Sequence, residues 1–124
     1  MRAALLPLIV LLAACGRNEP QTAPTQAFRQ DGVEFELKPQ SSESCKARGA
    51  LYRGTVHWKV PAAEKIGLEL RLRTPDGQMF LGTNKAEGQE QTGDWVEPGL
   101  WFLLLDGRKG GTIAAFQAGP SPCR

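Results

Sequence analysis

Apolar residues recur along this chain in two different patterns. Residues 3–14 are apolar without a break, whereas from Val33 onwards apolar and polar residues alternate in short runs. A period of two sends successive side chains to opposite faces of an extended strand. Val33, Phe35 and Leu37 alternate with Glu34, Glu36 and Lys38, which predicts a strand with one buried face. Tyr52, Val56, Trp58 and Val60 share a face of a second strand, and Thr55, His57 and Lys59 take the other. Ile66, Leu68, Leu70 and Leu72 alternate with Gly67, Glu69, Arg71 and Arg73 in the cleanest strand of the chain. Thr74-Pro75-Asp76-Gly77 predicts a turn, with Pro fixing φ and Gly accepting a positive φ. Gln78-Met79-Phe80-Leu81 then returns as a short strand.

Residues 83–94 are polar and glycine-bearing, the pattern of a loop or a weak edge strand. Trp95 and Val96 restart apolar structure, and Glu97-Pro98-Gly99 turns the chain into residues 100–105, apolar at every position. Residues 106–111 read as a hairpin connection, Thr112 to Ala118 as the last strand, and 119–124 as an irregular tail. The segment around Pro61 to Lys65 has room for one short helical turn. Short strands at this spacing predict an all-β fold, a small two-sheet antiparallel sandwich over residues 32–124.

The continuous run at 100–105 has a consequence beyond the fold. In a strand, Trp101, Leu103 and Leu105 point one way and Leu100, Phe102 and Leu104 the other. One set fills the core and the second lies on the outer face. The last strand adds either Ala114 and Phe116 or Ile113 and Ala115 to that surface. An exposed apolar stripe marks an interaction site, so Trp101, Phe102, Leu104 and Phe116 are the candidate partner-binding residues. The competing reading is a covered face, under the 83–94 loop, under the preceding segment with Phe28, or because the strand is central.

Three stretches resemble immunoglobulin-like and fibronectin type III-like domains. Thr55-Val56-His57-Trp58-Lys59-Val60-Pro61 resembles the second strand of fibronectin type III domains, a core tryptophan followed shortly by proline. Leu68-Glu69-Leu70-Arg71-Leu72 resembles the next strand, which opens the facing sheet. Residues 97–105 resemble the later strand reached after a Pro-Gly turn, with Trp101 where the family usually has tyrosine. The resemblance implies an immunoglobulin-like sandwich without that family's tyrosine-corner bond at this position. A fold of this kind does not settle function.

The first fifteen residues carry a separate message. Met1-Arg2, a twelve-residue apolar stretch and a small-residue end form the three-part layout of a secretory signal. Twelve residues are too few to span a bilayer, for which about 20 are needed. Leu12-Ala13-Ala14-Cys15 resembles the bacterial lipobox. The resemblance implies a signal peptide over 1–14, cleaved before Cys15, and diacylglycerol with a further acyl chain such as palmitate on that cysteine. Each buried methylene contributes about 0.8 kcal/mol, and two or more chains give stable anchoring. Gly16, in place of the Asp that often retains lipoproteins at the inner membrane, resembles the class exported to the outer membrane.

Residues 16–30 are polar and proline-bearing with one large apolar residue, Phe28, which predicts a lipid-anchored flexible tether over 15–31. The mature chain would hold 14 basic residues against 13 acidic, because Arg2 leaves with the signal. That near-neutral, dispersed balance gives no electrostatic case for nucleic acid. With Cys15 lipidated, Cys45 and Cys123 remain as an even pair in an oxidising compartment and are expected to form one disulfide. Such a bridge stabilises a small domain by roughly 2–5 kcal/mol.

Candidate chemistry is sparse. His57 is the only histidine and shares a polar strand face with Thr55 and Lys59, so a solvated strand histidine is expected, not a catalytic base or metal ligand. Glu34, Glu36 and Glu69 alternate with apolar residues as surface groups, and Asp76 and Asp106 occupy turns. Neither a metal nor a cofactor is expected. The expectation is a non-enzymatic, membrane-anchored protein on the periplasmic face of the outer membrane. Its sandwich would bind an envelope protein partner, as an accessory subunit or as a hydrolase inhibitor of the immunity type. The alternative is carbohydrate or peptidoglycan binding, with Trp95 as the stacking residue beside the polar loop.

Overall fold

The computed structural model describes residues 23–40, 51–61, 67–108 and 111–122. Among them the elements are eight strands: β1 (Phe28–Arg29), β2 (Glu34–Gln40), β3 (Arg53–Lys59), β4 (Leu68–Leu72), β5 (Met79–Thr83), β6 (Glu87–Gln91), β7 (Trp101–Asp106) and β8 (Thr112–Gln117). They form a five-stranded sheet in the order β1-β8-β7-β4-β5 and a three-stranded sheet in the order β2-β3-β6. Every pairing is antiparallel. The domain is thus a small all-β sandwich of two sheets, consistent with an immunoglobulin-like fold. Cys15, Cys45 and Cys123 lie outside the described residues, and with them the expected signal, lipidation and disulfide.

The alternating runs become strands because each supplies one apolar face to the space between the sheets. From the three-stranded sheet, Phe35, Val56 and Trp58 point inward; from the five-stranded sheet, Leu68, Leu70, Leu72, Phe102, Leu104 and Ala114 meet them. Aromatic rings continue across this layer. Phe35 meets Phe116 edge-on at 4.7 Å, Phe116 stacks on Phe102 at 5.1 Å, and Phe102 faces Trp95 at 6.4 Å. Trp95 then meets Phe80 edge-on at 5.7 Å. The geometry is the offset and edge-to-face packing that aromatic quadrupoles prefer.

The polar stretch 83–94 contains the edge strand β6, which pairs Glu87–Gln91 against β3. Gly88 is what lets it pack: the Trp58 indole lies where a Cβ at Gly88 would stand. Trp58 Nε1 in turn donates to the Lys85 carbonyl at 3.0 Å. Buried Thr92 accepts from the Gly54 amide at 3.0 Å and donates to the Gly93 carbonyl at 2.8 Å, so its hydroxyl is satisfied. Two residues of the stretch read as tether, Phe28 and Arg29, pair with Ala115 and Ala114, so the ladder begins ahead of Gly32.

Two turns follow different chemistry. Leu100 N–H bonds the Glu97 carbonyl at 3.0 Å around Pro98 and Gly99, whose φ of 87° gives the expected turn a type II geometry. At 74–77 the Gly77 amide bonds the Thr74 carbonyl at 2.9 Å, but Gly77 does not take the positive φ expected of it. It is small because a Cβ there would collide with the Leu72 carbonyl oxygen. The left-handed residue is Arg73 instead, at φ 75°, spanned by a bond from Thr74 N–H to the Leu72 carbonyl at 2.9 Å. That is a γ-turn with a strained central residue.

Tyr52 bridges to Val96 beside the start of β3 and is fully buried, and its hydroxyl donates to the Gly119 carbonyl at 2.8 Å. Trp101, at the position where the resembling family has its corner tyrosine, lies on the outer face; the long-range tyrosine bond of this chain is made by Tyr52.

Phe102→Ala is expected to cost about 3–5 kcal/mol in urea unfolding, and Trp101→Ala clearly less. Tyr52→Phe should cost about 0.5–1.5 kcal/mol by loss of one hydrogen bond. Burial raises the Tyr52 phenol above its ordinary value, so the folded chain keeps that proton where the unfolded chain has lost it. Its contribution is whole below about pH 10 and falls as pH rises through the folded value. Thermal midpoints should therefore drop more steeply above that pH in the parent protein than in Tyr52→Phe.

Candidate functional site

Strand β7 lies in the middle of its sheet, between β8 and β4, and is apolar on both faces. Its inward residues belong to the layer between the sheets. On its other side Leu103, Leu105 and Ala115, 0%, 4% and 2% exposed, form their own buried apolar cluster with partly exposed Trp101 packed against it. Register places the cluster in line with residues of the neighbouring strands. Phe28 pairs with Ala115, Ala115 with Leu103, Leu103 with Arg71, and Arg71 with Met79. One transverse row therefore crosses all five strands, with Trp101 and Leu105 on either side of Leu103.

The ends of the row are open. Phe28 is 40% exposed and Met79 43%, two of the three large hydrophobic side chains exposed among the described residues. The row's one cation is fixed in place: Arg71 Nε donates to Glu69 Oε1 at 3.0 Å and Nη1 to the Gly77 carbonyl at 2.8 Å. Arg71 stands opposite Leu103 in register, with its side chain 23% exposed. Beyond Met79 the same face opens into a groove of about 370 Å³, lined in part by Gly67, Gly82 and Gly107 together with Asn84 and Arg108. Gly107 N–H closes on the Gly67 carbonyl at 2.6 Å, drawing the ends of β4 and β7 together.

The four residues proposed from the sequence for partner contact do not share this surface. Phe102 and Leu104 are 1% and 0% exposed between the sheets, so neither is presented to a partner. Phe116 packs, partly buried, against the same inter-sheet layer. Only Trp101 faces outward, partly exposed. The correction has a simple cause. Leu100, Phe102 and Leu104 are the set facing the second sheet, and period two then fixes Trp101, Leu103 and Leu105 outside. Phe28, Arg71 and Met79 were missed; the signal for Phe28 was its place as the single large apolar residue in a polar run.

Trp95 is 37% exposed, yet its indole is engaged by Phe80 and Phe102 and lies over Gly93. The Asp94 carboxylate beside it anchors the 92–96 segment to β3 through Arg53 Nε at 2.8 Å. His57 sits between Glu36 and Gln89 on the outer face of the three-stranded sheet. Its Nε2 lies 4.0 Å from the Glu87 carboxylate, and its buried Nδ1 makes no hydrogen bond among the described residues. No group of three or more His, Cys, Asp and Glu converges as a metal set among the described residues. Compared with protein-family models, curated proteins and solved structures, the chain matches none.

Proposed function

We propose that this protein is a lipid-anchored lipoprotein of the cell envelope that acts by binding. Its sandwich holds a protein partner at the periplasmic face of the outer membrane and performs no chemistry of its own. The observation that carries the binding reading is the transverse row on the outer face of the five-stranded sheet. Exposed Phe28 and Met79 stand at the two ends of its buried apolar centre, and partly exposed Trp101 borders it. Large apolar side chains left exposed on one sheet face support a protein contact there, and aromatic residues and methionine are enriched at interfaces. The partner class remains an accessory role in an envelope machine or the inhibition of a hydrolase.

The anchor reading is supported by residues 1–15 and the lipobox-like Leu12-Ala13-Ala14-Cys15. The Cys45–Cys123 disulfide gains support from Tyr52. Its bond to the Gly119 carbonyl brings the chain seven residues after Cys45 beside the chain four residues before Cys123. Spans of that length permit the Cα separation of a disulfide without imposing it.

Three outcomes are expected. Phe28→Asp combined with Met79→Asp should abolish recovery of the partner from crosslinked envelopes while the thermal midpoint stays close to that of the parent. Recovery at the parental level would remove the outer face from consideration. Cys15→Ser should move the protein from the membrane to the soluble periplasmic fraction. Reduction of the purified periplasmic domain should add the mass of two hydrogens, and free thiols at both Cys45 and Cys123 would contradict the pairing. The carbohydrate alternative rests on exposed Trp95; a change in its fluorescence on adding peptidoglycan fragments would favour that reading over the protein partner.

A further inference from the structure

We propose that the outer edge of β5 is a strand-addition site, which takes an extended segment of the partner by main-chain hydrogen bonding. The inference rests on the partner-binding reading above and names how the partner is held. Two sheets end in four edge strands: β1 and β5 in one, β2 and β6 in the other. An edge presents unpaired N–H and C=O groups, and proteins guard such edges with charge, proline or brevity. Strand β1 is two residues long. Strand β2 carries Glu34, Glu36, Lys38 and Pro39. Strand β6 carries Glu87 and Glu90. Strand β5, Met-Phe-Leu-Gly-Thr, has neither a charge nor a proline.

Its shape also fits an added strand. A register shift against β4 leaves Phe80 without a paired position and turned toward Trp95, and Leu81, Gly82 and Thr83 follow in regular pairing with Leu70, Glu69 and Leu68. Gly82 is exposed and presents no side chain to an approaching backbone. On the outer side lies the glycine-lined groove with Glu69, Asn84 and Arg108. On the inner side, Phe80 and Leu81 are only partly buried. An incoming strand would send alternate side chains to these two sides. The segment that fits is extended, apolar at every second residue, and small or polar at the positions between. Strand addition at β5 also extends the surface that Met79 already shares with the transverse row.

The test uses the full mature protein purified from envelopes, with a displayed library of random short peptides as the probe. Selected peptides should slow amide exchange within Met79–Thr83 by about tenfold or more and leave Glu87–Gln91 unchanged. Gly82→Lys, which installs the kind of guard the other edges carry, should weaken peptide binding by about tenfold or more. Gln89→Lys on β6 should not. Protection on β2, β6 or the outer face without β5 overturns the proposal, as does failure to select any peptide. It is overturned as well if β5 amides are already protected in a dimer of this chain. Phe28→Asp alone separates this proposal from the reading it rests on, since it should weaken partner recovery through the outer face but leave peptide binding at β5 intact.

Discussion

The packing of Phe102 between Phe116 and Trp95 is the contact around which the sandwich is organised. It belongs to the central strand of the larger sheet and is the middle ring of the aromatic line from Phe35 to Phe80. Two constraints follow. The strand must be apolar on its inner face to close against Phe35, Val56 and Trp58. Because it is central, flanked by β8 and β4, its outer face is also shielded from water along much of its length. Leu103 and Leu105 are the result, a second small cluster on the far side of the same strand. The outward apolar surface is therefore a by-product of where β7 stands in the sheet, and it becomes a candidate interface only where Phe28 and Met79 extend it into solvent.

Most of the fold was legible because its strands alternate strictly. Phe35, Val56, Trp58, Leu68, Leu70 and Leu72 announce their inward faces by period alone, and Pro98-Gly99 announces a turn. The strand 100–105 was legible as a strand but not by face, since six consecutive apolar residues carry no alternation to choose between them. That ambiguity placed Phe102 and Leu104 on the surface when they are core. Strand β6, one of the two readings open for 83–94, could not be chosen over a loop for the opposite reason. Its sequence, Glu-Gly-Gln-Glu-Gln, offers no apolar face, and it is held by pairing to β3 and by the Trp58 ring over Gly88. Neither contact is local. Gly77 shows the same limit: glycine before a strand suggests a left-handed backbone, whereas the need here is clearance from Leu72, and the strain falls on Arg73.

The ends of the domain meet at one pole. Tyr52, at the head of β3, holds Gly119 after β8, and the chain entering β1 arrives beside the end of β8. The type II turn at 97–100 and the strained turn at Arg73 lie at the same pole, tied by Arg73 N–H to the Trp101 carbonyl at 3.0 Å. The connections from β1 to β2, β5 to β6 and β7 to β8 occupy the opposite one. A chain fastened by its N-terminus would present that second pole away from the anchor.

Strand β1 gives this arrangement a mechanical side. A pull between an N-terminal anchor and anything gripped by the sheet would reach β1 first, and β1 is held to β8 by only two paired residues. Its release would free 28–33 and lengthen the line by about 20 Å before the seven paired positions of β2 and β3 took the strain. A short first strand would thus let the domain give way in a small step under tension while its core stays closed.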